Sequence, residues 1–139
     1  MNGGHDASSP QDFVASALAR RADIALLTLY RIDPRTRTLL AVTPAALETF
    51  PDVRSDEIRD AETIAAALSA IQSSKPAQVD TPLDARFGLV FASRDGERIL
   101  SAYKGQFAST GQIDDTPVSY LEQALHDWLT AFYAAQRVG

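Results

Sequence analysis

The side chains of this chain that could do chemistry are few and scattered. Two histidines are present, His5 in a polar start and His126 near the end, and there is no cysteine. The missing thiols exclude disulfides, thiolate zinc ligation and a cysteine nucleophile. His126 stands four residues after Glu122, a spacing that lets the two pair along one helix face. A general base needs further partners within hydrogen-bond reach, and none is near in sequence, so a plain surface pair is expected. Asp114-Asp115, with Glu122 and Asp127 beyond, lacks the oxygen-ligand spacing and the glycine of a calcium loop, and reads as a turn. No serine is expected in a Gly-x-Ser-x-Gly or Ser-x-x-Lys motif, so no serine nucleophile is expected. Gly105 and Gly111 are isolated and Gly88 lies in a strand pattern, so no phosphate loop and no cofactor are expected. A carboxylate pair of the glycosidase kind is a spatial arrangement that spacing does not reveal.

Arginines are the other recurrent chemistry. Arg31, Arg35 and Arg37 surround one turn signal, and Arg94 and Arg98 surround another. Such charges either solvate hairpin ends and discourage edge pairing, or meet an anion or an acidic protein surface. Trp128 continues an apolar stripe and reads as a core anchor.

With 139 residues the chain fits one domain, and its 45% hydrophobic content is enough for a core. Eighteen acidic against thirteen basic residues give a net charge of −5, which opposes a polyanion, and no basic stripe overrides it. Nucleic acid is therefore not an expected partner, whereas a basic protein surface suits the charge. MNGGHDASSP is polar, so residues 1–8 are expected to be a flexible start without a signal peptide, and 9–139 a single domain. No apolar run approaches the roughly 20 residues of a membrane span, so a soluble chain is expected, either cytoplasmic or the mature form of a periplasmic protein.

Hydrophobic periodicity supplies the elements. Ser9-Pro10-Gln11-Asp12 opens a helix with Phe13, Val14, Ala17 and Leu18 on one stripe. Leu27 to Ile32 reads as a strand, Asp33-Pro34-Arg35-Thr36 as a turn, and Arg37 to Val42 as the returning strand. Thr43-Pro44 starts a short helical turn. Asp60 caps a helix with Ile64, Ala67, Leu68 and Ile71 in register, followed by a loop through Val79 and Leu83.

Residues 84–107 carry the strongest pattern, a hairpin about Asp95-Gly96. A two-residue type I′ turn there sets Arg94 opposite Glu97, Ala92 opposite Ile99 and Gly88 opposite Tyr103; a three-residue loop with a bulge would shift this register. Phe87, Leu89, Phe91, Leu100 and Ala102 then form the core face. Val90, Ile99, Ser101 and Tyr103 form a second, semi-apolar face, which together with Arg31, Arg35, Arg94 and Arg98 is the expected partner-binding surface. Gly111 to Val118 suggests a short ribbon about Asp114-Asp115. Ser119-Tyr120-Leu121-Glu122 has capping-box spacing for a last helix with Leu121, Ala124, Leu125, Trp128, Leu129 and Phe132 on its stripe. The expected fold is α+β: an antiparallel sheet of about 4–6 strands from hairpins with about three helices packed on it.

"LTLYRIDP" (27–34) and "ARFGLVFASRDGERILSAYKGQF" (85–107), with the Asp60 helix between them, resemble a group of small uncharacterised bacterial proteins, often exported or lipid-anchored. In that group a Leu-Tyr-x-x-Asp-Pro strand end precedes a helix and a later hairpin. The resemblance covers residues 24–107 and implies a bacterial, periplasmic protein without supplying catalytic residues. The chain departs from the pattern at Ala85-Arg86-Phe87-Gly88, where the group has Pro-Arg-x-Gly, and lacks cysteines over Ser101 to Gln106. The element order is also similar to that of acidic, dimeric secretion chaperones, a likeness of fold alone. The leading functional expectation is a non-enzymatic protein-binding domain, an immunity or inhibitor protein against a bacterial toxin or effector. A homodimeric secretion-type chaperone and a small hydrolase or ligand-binding domain are the alternatives.

Overall fold

The computed structural model describes residues 9–32, 42–50, 53–81, 83–105 and 109–138. The fold is α+β, with one antiparallel sheet of seven strands in the spatial order β2-β1-β4-β5-β6-β7-β3. In chain order the elements are α1 (Pro10–Ala19), a 3-10 turn (Arg21–Asp23), β1 (Ile24–Arg31), α2 (Pro44–Leu47), β2 (Arg54–Ile58) and α3 (Ala61–Ser73). They continue with β3 (Pro76–Gln78), β4 (Phe87–Ser93), β5 (Arg98–Lys104), β6 (Thr110–Ile113), β7 (Thr116–Tyr120) and α4 (Ala124–Val138).

The helix starts obey their capping residues. Ser9 and Asp12 exchange hydrogen bonds in a capping box at α1, Thr43 caps α2 with Pro44 in its first turn, and Asp60 accepts from the Thr63 amide at α3. The Asp60 carboxyl is held below the usual aspartate range by the hydrogen bonds from Thr63. α3 buries Ile64, Ala67, Leu68, Ala70 and Ile71 and packs against both α1 and α4. It also links the two sheet edges. Thirteen residues span about 20 Å, most of the about 29 Å between the outer strands of a seven-stranded sheet.

The sheet exceeds the expected strand count because both edge strands are poor in apolar residues. β2, Arg-Ser-Asp-Glu-Ile, has a single aliphatic side chain, and β3 is three residues long and begins with proline. β2 occupies the side of β1 expected for Arg37 to Val42, pairing Leu27 with Ile58 through to Arg31 with Arg54. Residues 33–41, Arg35 and Arg37 among them, lie outside the described residues, as do residues 1–8. Val42, the last residue of the expected return strand, bonds instead to the approach of β4: its amide donates to Asp84 Oδ1 at 2.8 Å and its carbonyl accepts from the Ala85 amide at 2.7 Å.

The last helix starts later than its sequence suggests. Ser119 and Tyr120 are the end of β7, opposite Ala77 and Pro76, so the Ser119–Glu122 capping box does not form and Leu121 is left 62% exposed. The cap comes from another helix. Ser74, fully buried at the end of α3, accepts from the Leu125 amide on Oγ at 2.8 Å while donating to the Ala70 carbonyl at 2.9 Å. Leu125, Leu129 and Tyr133 then bury one stripe of α4, with Trp128 partly buried and stacked on Phe132.

The core has two parts. The larger lies between the sheet and α1, α3 and α4, and includes Leu27, Leu29, Leu89, Phe91, Leu100 and Ala102. A smaller one on the opposite face joins Ile32, Val42, Leu47, Leu83, Ala85 and Tyr103. Among the described residues, no helix is long and apolar enough to cross a membrane.

Candidate functional site

The geometry of the second sheet face is set by the tip of the β4–β5 hairpin. Gly96 N donates to Ser93 O at 3.0 Å, Ser93 N donates to Glu97 O at 2.9 Å, and Gly96 has φ +90. Asp95 is not in the left-handed region, so the tip is the three-residue loop Arg94-Asp95-Gly96 and not a type I′ turn. Pairing runs as expected from Gly88–Tyr103 to Phe91–Leu100, then jumps to Ala92–Arg98, leaving Ile99 as a bulge.

One extra residue exchanges two side chains between faces. Ile99 packs against the larger, helix-side core instead of standing on the second face. Arg98 takes its place there, donating to Glu48 Oε1 through Nη2 and approaching Ser101 Oγ at 3.5 Å. Tyr103 OH donates to the other Glu48 oxygen at 3.0 Å, so one carboxylate from the α2 C-terminus holds both. The ring of Tyr103 lies over Gly88, where an added Cβ would meet it at 3.2 Å and Leu47 at 3.0 Å. Burial first, and then Glu48, push the Tyr103 hydroxyl above the ordinary tyrosine range.

The expected open face is therefore largely closed. Val90, Ser101 and Tyr103 retain 7%, 6% and 4% of their exposure, and α2 rather than the N-terminal helix covers Tyr103. Among the described residues this face holds a concavity of about 520 Å³ between α2 and the β5–β7 region, lined by Glu48, Thr49, Arg98, Gln112, Asp114 and Asp115 among others. Asp114 sits at φ 49 in the β6–β7 turn, accepts from the Ser101 amide at 2.9 Å and donates its own amide to Ser101 O at 2.8 Å. Its carboxyl is pushed above the ordinary value of 3.8, mainly by burial and then by Asp115, against the lowering effect of the Ser101 hydrogen bond.

That shift has a defined sign in stability. The native state holds the Asp114 proton more tightly than the unfolded chain, so stability falls as pH rises from 3.8 through the raised native value and stays at the lower level above it. Asp114→Asn keeps an acceptor for Ser101 and suits a left-handed backbone. It is expected to be at least as stable as the parent at pH 7 and to lack this acid-side gain, read by urea unfolding at pH 3.5, 5 and 7. A large loss at pH 7 would contradict the account.

Of the other expected residues, Arg94 is exposed on the loop, and Arg35 lies outside the described residues. Arg31 is on the opposite face from Arg98. Its guanidinium carbon stands 4.8 Å from the centre of the Tyr133 ring, while Arg54 stands 5.9 Å from the same ring. Arg31 Nε and the Tyr133 hydroxyl oxygen are both enclosed without a hydrogen bond. Burial, and then Asp56, push the Tyr133 hydroxyl well above the ordinary tyrosine range.

Contrary to the expectation that no serine falls in a Ser-x-x-Lys motif, Ser101-Ala102-Tyr103-Lys104 has that spacing of a serine nucleophile and its lysine base. Its strand conformation separates the pair. Ser101 faces Arg98 and Asp114, while Lys104 lies against the Phe87 ring at 5.8 Å and donates to the Gly105 carbonyl at 2.8 Å. Burial lowers the Lys104 pKa, and beside it a cavity of about 90 Å³ is lined by Ser109, Glu122 and His126. Among the described residues no three His, Asp or Glu side chains converge to hold a metal ion.

The fold and groove thus define an α+β domain with a seven-stranded antiparallel sheet, α1, α3 and α4 on one face, and α2 beside a charged groove on the other. Comparison with protein-family models, curated proteins and solved structures gives no match.

Proposed function

We propose that this chain is a non-enzymatic protein-binding domain of the immunity or inhibitor kind, taking a basic surface of a bacterial toxin or effector into the groove beside α2. The observation that carries the reading is the Glu48–Arg98–Tyr103 network. It holds the groove side chains in place before any partner arrives, which limits the ordering cost of association. Asp114 and Asp115 add carboxylates at one wall, so three acids surround one arginine, on a chain of net charge −5. A basic partner would be steered by this field and its arrival slowed by salt.

The test is co-expression with the protein encoded beside it, followed by purification as a pair and by growth rescue. A complex is expected whose affinity falls at least tenfold in Asp115→Lys, an exposed position, with the melting temperature unchanged. Full protection and undiminished binding by that variant, or no complex with any adjacently encoded protein, would overturn the proposal.

A further inference from the structure

Lys104 is a buried amine that the groove does not use. It ends β5 with 4% of its surface exposed, its Nζ 5.8 Å from the centre of the Phe87 ring and one N–H given to the Gly105 carbonyl at 2.8 Å. Lys104 and the start of α4 share the cavity of about 90 Å³, whose wall also carries Ser109, Glu122 and His126. A single water needs about 10–15 Å³ of such space, so the cavity takes a molecule of a few heavy atoms. Burial holds the Lys104 amine below the ordinary value of 10.5, which raises its neutral fraction near pH 7. A neutral amine still gives an N–H to Gly105, so that hydrogen bond survives loss of the proton and the nitrogen gains a lone pair.

A desolvated lysine beside a small cavity, with an imidazole and a carboxylate in the same wall, has the parts for carbonyl condensation. We infer that Lys104 is a condensation site for a small carbonyl compound, an aldehyde or a 2-oxo acid, which it holds as an imine inside this cavity. The amine lone pair bonds to the carbonyl carbon, the C=O π pair moves to oxygen, and an N–H proton follows it to give a carbinolamine. Protonation of that hydroxyl and loss of the second N–H proton release water and leave C=N, with nothing oxidised or reduced. His126 and Glu122 are the groups that carry these protons. The cavity lies under α4, on the helix side of the sheet, so this proposal and the groove reading can fail separately.

The chain has two lysines, and Lys75 is exposed, so each molecule contains its own reference. The intact protein is incubated at pH 7 with acetaldehyde or pyruvate and sodium cyanoborohydride, which reduces an imine to a stable amine, and peptide mass spectrometry reads both lysines. Lys104 is expected to be trapped at least tenfold faster than Lys75, and the preference to vanish in denaturing urea. Trapping with acetaldehyde alone assigns a neutral aldehyde, with pyruvate alone a 2-oxo acid, and with both a general carbonyl site. Glu122→Gln combined with His126→Gln should slow trapping at Lys104 severalfold and leave Lys75 unchanged. The comparison needs no variant at Lys104 itself, so it stands even where Lys104→Arg does not fold. Trapping at Lys104 no faster than at Lys75 with either carbonyl, or a preference that survives unfolding, would overturn the inference.

Discussion

Gly111→Ala is expected to cost about 3 kcal/mol, at the upper end of what overpacking a filled core costs, or to prevent folding. A Cβ at this position would lie 2.2 Å from Tyr120 Cε2 and 2.5 Å from the Tyr103 carbonyl oxygen. Neither neighbour can give way cheaply. The carbonyl belongs to β5, paired with β6, and the Tyr120 ring crosses Gly111 so that its hydroxyl can donate to that same carbonyl at 2.8 Å. Moving the ring would break a buried hydrogen bond, and moving the strand would disturb the ladder. Gly105→Ala is the matched control, because its Cβ would meet nothing closer than 3.4 Å. Urea unfolding of both variants reads the difference; a loss below about 1 kcal/mol at Gly111 would refute the close-approach account.

Ser74→Ala should cost about 2 kcal/mol, the scale of stranding a buried donor together with losing a helix cap. The methyl cannot accept from the Leu125 amide, which then begins α4 unpaired in a site where Ser74 has no exposure. The neighbouring carbonyl contact, Glu122 N donating to Ser74 O at 3.0 Å, survives the substitution, so the loss isolates the hydroxyl. Ser73→Ala, one residue earlier and exposed, should be near neutral. Urea unfolding compares the two, and hydrogen exchange at Leu125 locates the effect; equal stability of both variants would contradict the bridging role.

Both sites show where sequence patterns stop being informative. The α1 and α3 caps, the core face of β4 and the Gly88–Tyr103 pairing were legible because each depends on near neighbours or on a single hairpin. The second glycine–tyrosine pair, Gly111 under Tyr120, is diagonal across β6 and β7, where Val118 and not Tyr120 stands opposite the glycine, and had no local signal beyond an isolated glycine. Ser119 and Glu122 have the right spacing for a cap, yet pairing of Ser119 and Tyr120 with β3 overrides it. At the hairpin tip, Arg-Asp-Gly is compatible with two loop lengths, and the one residue between them decides whether Arg98 or Ile99 enters the groove. Arg31 and Arg98 were singled out by proximity to turns. Their partners, Tyr133 and Glu48, are brought to them only by the assembled sheet.

The passage of α3 from one outer strand to the other ties the two sheet margins into a single event. Short links join it to β2 at one end and β3 at the other, so an α3 that has not docked leaves neither margin in place. The strands then laid bare are β1, rich in leucine, and β7, both with unpaired backbone groups that another chain could match. Protection against self-association therefore resides less in the charges along β2 than in how fast one helix settles during synthesis, a kinetic property of the nascent chain.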